Sequence, residues 1–217
     1  MNQLTFGALS AVAQVRRPTQ RALAKQRTRE KILAAGKALF TERGYEGATI
    51  RDIAAAAGMS TGAVFASFTD KSDLFTEIVG AEHEALFEAM DVAQGAAPDA
   101  PLQAMFDAAA ERQMNDLPLA QATMCAMWSP GLGVQLVARM KRRSIRTLII
   151  AALKSAVDRG QVGPKSDLTL IAQMLWDSYV AVLRLASLEG LGLEAVKQRV
   201  SDQAQIILAG SRQAQAA

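Results

Sequence analysis

The sequence predicts an all-α fold. Three observations carry that reading: half of the 217 residues are apolar, glycine and proline are sparse at 15 and 6, and Ala, Leu, Gln, Arg and Glu are abundant while β-branched runs are rare. Such a composition favours helix nearly throughout and supplies enough apolar surface for a substantial core.

The elements follow in order. Residues 1–26 show no sustained periodicity and contain "RRPTQR", so they read as a flexible basic arm. Ile32, Ala35, Leu39 and Phe40 keep helical spacing over 27–43, and Gly44 stops that helix as a C-terminal glycine does. After the loop "GYEGAT", Thr49 stands three residues before Asp52, a capping-box-like start for a second helix that Gly58 ends. Ser60 caps a third that runs to about Ser67, and "TDK" opens a fourth at Lys71 that continues past residue 90. Beyond "GAAPDAP", periodic segments fall at about 101–114, 118–128, 132–159, 167–188 and 193–209, making about nine helices.

Charge is distributed unevenly. Net charge is only +3, yet residues 1–31 hold seven bases against the single acid Glu30. The first 80 residues hold eleven bases and seven acids, the remainder thirteen and fourteen. One end of the chain is therefore suited to a polyanion. Cys125 is the only cysteine, which excludes an intramolecular disulfide and a Cys-rich metal site and fits a reducing cytoplasm. The first fifteen residues lack the leading positive charge and unbroken apolar stretch of a secretory signal, and no later stretch reaches the roughly 18 to 20 apolar residues of a membrane span.

One segment carries a specific motif. A helix pair crosses steeply only where the contact residues are small and the turn residue can take a positive φ. Ala54 lies four residues before Gly58, and Ile53, Ala57, Met59 and Val64 occupy the apolar contact positions. These spacings, over about 49–68, match a helix–turn–helix, whose second helix enters the major groove of DNA. An ordinary packed helix pair would also use them; the basic arm upstream favours the DNA reading.

The stretch "RTREKILAAGKALFTERGYEGATIRDIAAAAGMSTGAVFASFTDKSDLFTEIV" (27–79) resembles the amino-terminal domain of the tetracycline-repressor (TetR) family of bacterial transcriptional regulators. "REKILAAGKALFTERGYEGATI" is similar to that family's first helix and loop, "IAAAAGMSTGAVFASF" to its helix–turn–helix and "DKSDLF" to the start of its fourth helix. The resemblance implies a three-helix DNA-binding domain at 27–80 and a helical ligand-binding and dimerisation bundle at 81–217. It implies that Ser60, Thr61, Gly62, Ala63 and Ala66 face the groove, and that Thr49 and Lys71 contact phosphates. For Thr49 the alternative is a plain N-cap, for Lys71 a solvated lysine. Arg51 is the best long donor near the groove edge, with a surface-only role equally open. The arm bases Arg16, Arg17, Arg21, Lys25 and Arg27 would add phosphate grip. Where the family usually has a tyrosine this chain has Phe65, and where His, Tyr or Asn commonly follows it has Ser67, which shifts the expected contact from hydrogen bonding toward sugars and thymine methyls.

The second half offers Met90, Met114, Met124, Met127 and Met174 with Trp128, Trp176 and Tyr179 as candidate walls of an apolar ligand pocket, "MCAMW" (124–128) foremost, although methionine at helical spacing is also ordinary core. In the last two helices Leu168, Ile171, Leu175, Val182, Val196, Val200 and Ile207 form apolar stripes that, by the resemblance, would build a four-helix interface with a second copy.

A catalytic reading lacks a nucleophile with its base, paired carboxylates or a metal cluster; His83 alone makes no metal site, and no cofactor is implied. The expected function is a dimeric repressor that binds double-stranded operator DNA and is released by a small apolar or aromatic effector, without membrane association. Activation would use the same residues. The alternatives are a sequence-indifferent DNA-binding or scaffolding protein and a small-molecule carrier with a vestigial head. "RMKRRSIR" (139–146) reads as a solvated face of one long helix.

Overall fold

The structure, a computed structural model, describes residues 19–141 and 143–213. It contains α1 (Gln20–Gly47), α2 (Ile50–Ala56), α3 (Thr61–Phe65), α4 (Lys71–Ala96), α5 (Pro101–Met114), α6 (Leu117–Met127), α7 (Leu132–Met140), α8 (Ile145–Asp158), α9 (Leu168–Glu189) and α10 (Leu193–Gln213), with no strand among the described residues.

Two boundaries differ from the sequence reading. α1 begins at Gln20, so 20–26 are helical rather than part of an arm; Thr19 caps them, its Oγ1 accepting from the Ala22 amide at 3.2 Å. The stretch "QRALAKQ" is made of good helix formers, and it lacks apolar periodicity because it faces almost no core, only Leu23 being half-buried. Positions 1–18, with Arg16 and Arg17, lie outside the described residues. At the other end of α1 the helix is interrupted at Gly44 (φ 68°, ψ 178°), a conformation open essentially to glycine.

The second difference is a tenth helix. The expected helix 132–159 is broken into α7 and α8, so the basic cluster 139–146 lies at the break and not along one helical face. Five bases in those eight residues would repel one another at helical spacing, and Ser144 starts α8 by accepting from the Thr147 amide.

The helices enclose two cores. In the first, Ile32, Leu39 and Phe40 of α1, Ile53, Val64 and Phe68 pack with Leu74, Phe75, Ile78 and Val79 of α4, joined by Leu119 and Ala126 of α6 and Leu132 and Leu136 of α7. In the second, Leu86 and Met90 of α4 pack with α5, α8, α9 and α10 around Tyr179. A division at residue 80 thus cuts through α4, and α6 and α7 share the core of the amino-terminal helices. α9 is long and apolar enough, by length and composition, to cross a membrane (mean hydropathy 1.2), contrary to the expectation of no such stretch. That expectation required an unbroken apolar run, which Asp177 and Arg184 interrupt. Here the helix buries Ile171, Leu175, Tyr179 and Val182 in the second core.

α4 is started by Asp70, whose carboxylate accepts from the Asp73 amide at 2.8 Å and from the Ser72 hydroxyl at 2.6 Å. These bonds, the Ser72 hydroxyl first, hold the Asp70 carboxyl below its ordinary 3.8. Replacing Asp70 by Ala is expected to lower stability by about 1 kcal/mol at neutral pH in urea titration. Because the folded-state value is depressed, this contribution is present above pH 3.8 and fades on acidification through the folded value, so the two proteins should converge there.

Candidate nucleic-acid interface

The amino-terminal helices present α3 by burying one side of it. Ile53 and Ala54 of α2 and Val64 and Phe68 around α3 are essentially inaccessible. Gly58 turns the chain at φ 68°, and the Met59 amide closes the turn on the Ala54 carbonyl at 2.8 Å. Ser60 then caps α3, its Oγ accepting from the Ala63 amide at 3.2 Å.

The opposite side is open. Ser60, Thr61, Gly62, Phe65 and Ala66 are exposed and Ala63 and Ser67 half-buried, so the residues expected to face the groove share one outward surface. Phe65 is 55% exposed and is the largest apolar side chain on this surface. Arg51 is exposed beside this surface and enters no ion pair among the described residues.

Thr49 and Lys71 are tied inward in ways the sequence did not show. The Thr49 hydroxyl accepts from the Asp52 amide at 3.2 Å and donates to the Asp52 carboxylate at 2.7 Å, leaving no free proton for a phosphate unless Asp52 turns away. Asp52, on the first turn of α2, takes that proton with its side chain while its amide is capped by the same hydroxyl. The Lys71 ammonium donates to the Tyr45 carbonyl at 2.8 Å and lies 4.2 Å from the centre of the Tyr45 ring, so it is an anchored cation rather than a freely solvated one. Arg21, Lys25 and Arg27 are exposed on the first turns of α1.

Arg29, counted in the sequence among the bases of the charged end, belongs to this structure in a different way. Its guanidinium donates to the Ser67 carbonyl at 2.6 Å and to the Glu77 carboxylate, and lies 4.1 Å from the centre of the Phe68 ring. Its partners are 38 and 48 residues away, beyond the reach of any local pattern.

A second polar assembly connects α1 to the rest of the molecule. Glu82 on α4 accepts from Lys37 of α1 at 2.7 Å and from Arg112 of α5 at 3.0 Å, while Asp116 accepts from Thr41 at 3.2 Å and lies 3.5 Å from Lys37. Partial burial pushes the Lys37 ammonium down, but the hydrogen bond and charge of Glu82, with Asp116, outweigh it and hold the group above its ordinary 10.5.

The candidate pocket residues separate. Met90 and Tyr179 are buried, and Met114, Met124 and Trp176 partly so. The Tyr179 hydroxyl donates to Gln113 at 2.6 Å, its ring packs on Phe106 and Trp176, and burial pushes its pKa up. Met127, Trp128 and Met174 point outward, Trp128 with 91% exposure, so the "MCAMW" segment is not an interior wall. Nearby the chain turns tightly between α6 and α7, where Gly133 comes so close to the Met127 carbonyl that a Cβ there would lie 2.3 Å from its oxygen. A cavity of about 520 Å³ opens between Leu102 and Phe106 of α5, Arg159, and Val200, Ala204 and Leu208 of α10, and another of about 480 Å³ beside Phe87, Arg143 and Leu148. None of the candidate pocket residues lines either one. His83 donates its Nε2 proton to the Arg143 carbonyl at 2.7 Å.

The expected interface residues also require correction. Ile171, Leu175, Val182, Val196 and Val200 are buried in this chain's own core, with Leu168 and Ile207 packed against it. α9 carries more than one apolar stripe, and the stripe of Ile171, Leu175 and Val182 faces inward. Leu170, Met174 and Leu188 on α9 and Ile206 on α10 form the exposed apolar surface, from 46% to 72% accessible.

Residues 32–78 match the model of bacterial regulatory proteins, tetR family. The chain is 45% identical over 53 residues to the HTH-type transcriptional repressor BepR of Brucella suis biovar 1 (strain 1330), a match covering 24% of this chain and 25% of that protein. The chain thus spans about a quarter of the length of the curated relatives it matches. Among solved structures it is similar to SmeT, the repressor of the Stenotrophomonas maltophilia multidrug efflux pump SmeDEF, with a TM-score of 0.65 and 25% identity over 86% of this chain and 91% of that one. It shares the fold of the fatty acid degradation regulator FadR from Bacillus halodurans, with a TM-score of 0.70 and 19% identity over 83% of this chain and 98% of that one. The family model, the motif it spans and the all-helical fold agree: residues 32–78 are a DNA-binding segment of the tetR type, and the chain as a whole is similar in fold to regulators that carry it.

Proposed function

We propose that this chain is a dimeric transcriptional regulator, a repressor that binds a two-fold symmetric operator and is released by a small apolar or aromatic effector. The observation that carries the reading is the open face of α3, from Ser60 to Ala66, held out from a buried base of Val64 and Phe68 with Arg51 at its edge. Small residues let the helix backbone approach the groove, and Phe65 supplies apolar contact to sugars or thymine methyls. Phosphate grip comes from Arg51, the first turns of α1 and the remaining donors of Lys71.

The exposed stripe of Leu170, Met174 and Leu188, with Ile206, supports a dimer through α9 and α10. Two copies so joined would set two α3 helices about one helical turn of DNA apart, roughly 34 Å. The likeness to SmeT, the repressor of a multidrug efflux pump, supports a small-molecule effector for this chain. The cavity of about 520 Å³ between Leu102 and Phe106 of α5 and Val200, Ala204 and Leu208 of α10, next to the packed Trp176 and Tyr179 rings, is the seat proposed for it. A shift of α5 there would reach α1 through Arg112, Glu82 and Lys37.

Footprinting on DNA from its own upstream region at roughly 150 mM salt should give a bounded, symmetric protected site with affinity falling steeply as salt rises; equal affinity for random DNA sinks the proposal in favour of sequence-indifferent binding. Phe65→Tyr restores a hydroxyl able to reach a phosphate and should tighten operator binding by roughly 5- to 10-fold, read by fluorescence anisotropy. The double change Leu188→Glu with Ile206→Glu should give a monomer in sedimentation velocity and cost the full site at least ~100-fold in affinity, because the second recognition helix is lost.

A further inference from the structure

α3 is five residues long, too short to hold its own direction, and its two apolar anchors, Val64 and Phe68, lie on one side. What fixes its rotation at the C-terminal end is polar. The Ser67 carbonyl, just past the helix, is among the acceptors that a helix end leaves without an internal partner, and Arg29 of α1 donates to it at 2.6 Å. The same guanidinium donates to Glu77 of α4 and covers the Phe68 ring at 4.1 Å. Arg29 and Glu77 keep only 33% and 27% of their side-chain surface exposed, so the link runs mostly inside the head.

Resting on the DNA-binding reading above, we propose that Arg29 is a positioning residue rather than a DNA contact: it clamps the end of α3 to α4 through Glu77 and so transmits a displacement of α4 directly to the recognition helix. The fork of the guanidinium is what lets one side chain serve both acceptors while its flat face rests on an aromatic ring. A lysine carries the same charge without that geometry. Glu77 lies five residues before Glu82, where Lys37 and Arg112 meet, so α4 carries both the input from α5 and the output to α3. The charge of Arg29 is therefore spent on geometry, although it sits in the most basic part of the chain.

The test measures affinity of the full chain for a duplex bearing its own footprint and for a scrambled duplex, across about 50 to 200 mM salt. Glu77→Gln should lose about 10-fold in affinity for the specific duplex, with affinity for the scrambled one and the salt slope unchanged. Arg29→Met should lose at least as much, again without a change in slope, and Arg29→Lys should recover only part. A phosphate-contacting Arg29 gives the opposite pattern, and each part of it overturns the inference: Arg29→Lys near wild type, Arg29→Met reducing both affinities equally with the slope lowered by about one, and Glu77→Gln neutral or tighter on both duplexes. Amide exchange reads the clamp without DNA. Residues 64–68 should exchange about 10-fold faster in Glu77→Gln, and unchanged exchange overturns the inference. Failure of the wild type to discriminate the two duplexes would instead defeat the DNA-binding reading, with the exchange result still deciding the clamp.

Discussion

α4 is the member on which the rest of the molecule depends. Its 26 residues are buried at one end in the core of the head, through Leu74, Phe75, Ile78 and Val79, and at the other in the second core, through Leu86 and Met90. A continuous helix of packed side chains rotates or shifts as a unit instead of bending gradually. Motion in either core is therefore shared with the other. At Gly80 a neighbour comes close: a Cβ there would lie 2.7 Å from the Nε of the Arg139 side chain of α7.

The polar chemistry is arranged along the same helix. Asp70 starts it, Glu77 faces the Arg29 clamp, Glu82 receives Lys37 and Arg112, and Glu84 pairs with Arg143 near the α7–α8 break. Half-exposed ion pairs of this kind add little net stability singly, since desolvation and side-chain ordering offset their attraction. Their effect is on direction. Each fixes the rotation of one neighbour relative to α4, which apolar contacts alone leave adjustable.

The same arrangement bears on α3, whose exposed face is short of long hydrogen-bond donors. In the proposed DNA complex Gly62, Ala63 and Ala66 add no reach, so contact rests on close backbone approach, Phe65 and the short hydroxyls of Ser60 and Thr61, all sensitive to small errors in helix placement. α3 has a firm mount, which Gly58, the Ser60 cap, Val64, Phe68 and Arg29 supply.

The sequence by itself determined what depends on neighbours within a few residues. The breaks at Gly44 and Gly58, the caps at Thr49 and Ser60, the start of α4 at Lys71 and the helix–turn–helix all follow from local spacing and backbone chemistry, which act at short range, whereas the outward face of α3 is implied by the family resemblance. Helix starts without a core, such as Gln20, left no periodic signal. Where a helix carries apolar residues on several sides, as α9 does, periodicity shows that it has more than one partner but not which stripe meets which. Tertiary packing decided that: it placed Ile171, Leu175 and Val182 inward, left Leu170, Met174 and Leu188 outward, and turned Trp128 away from the core. It likewise decided that Lys71 and Arg29 bind within the head, because their partners are set by chain folding over 26 to 48 residues and no local pattern encodes that distance.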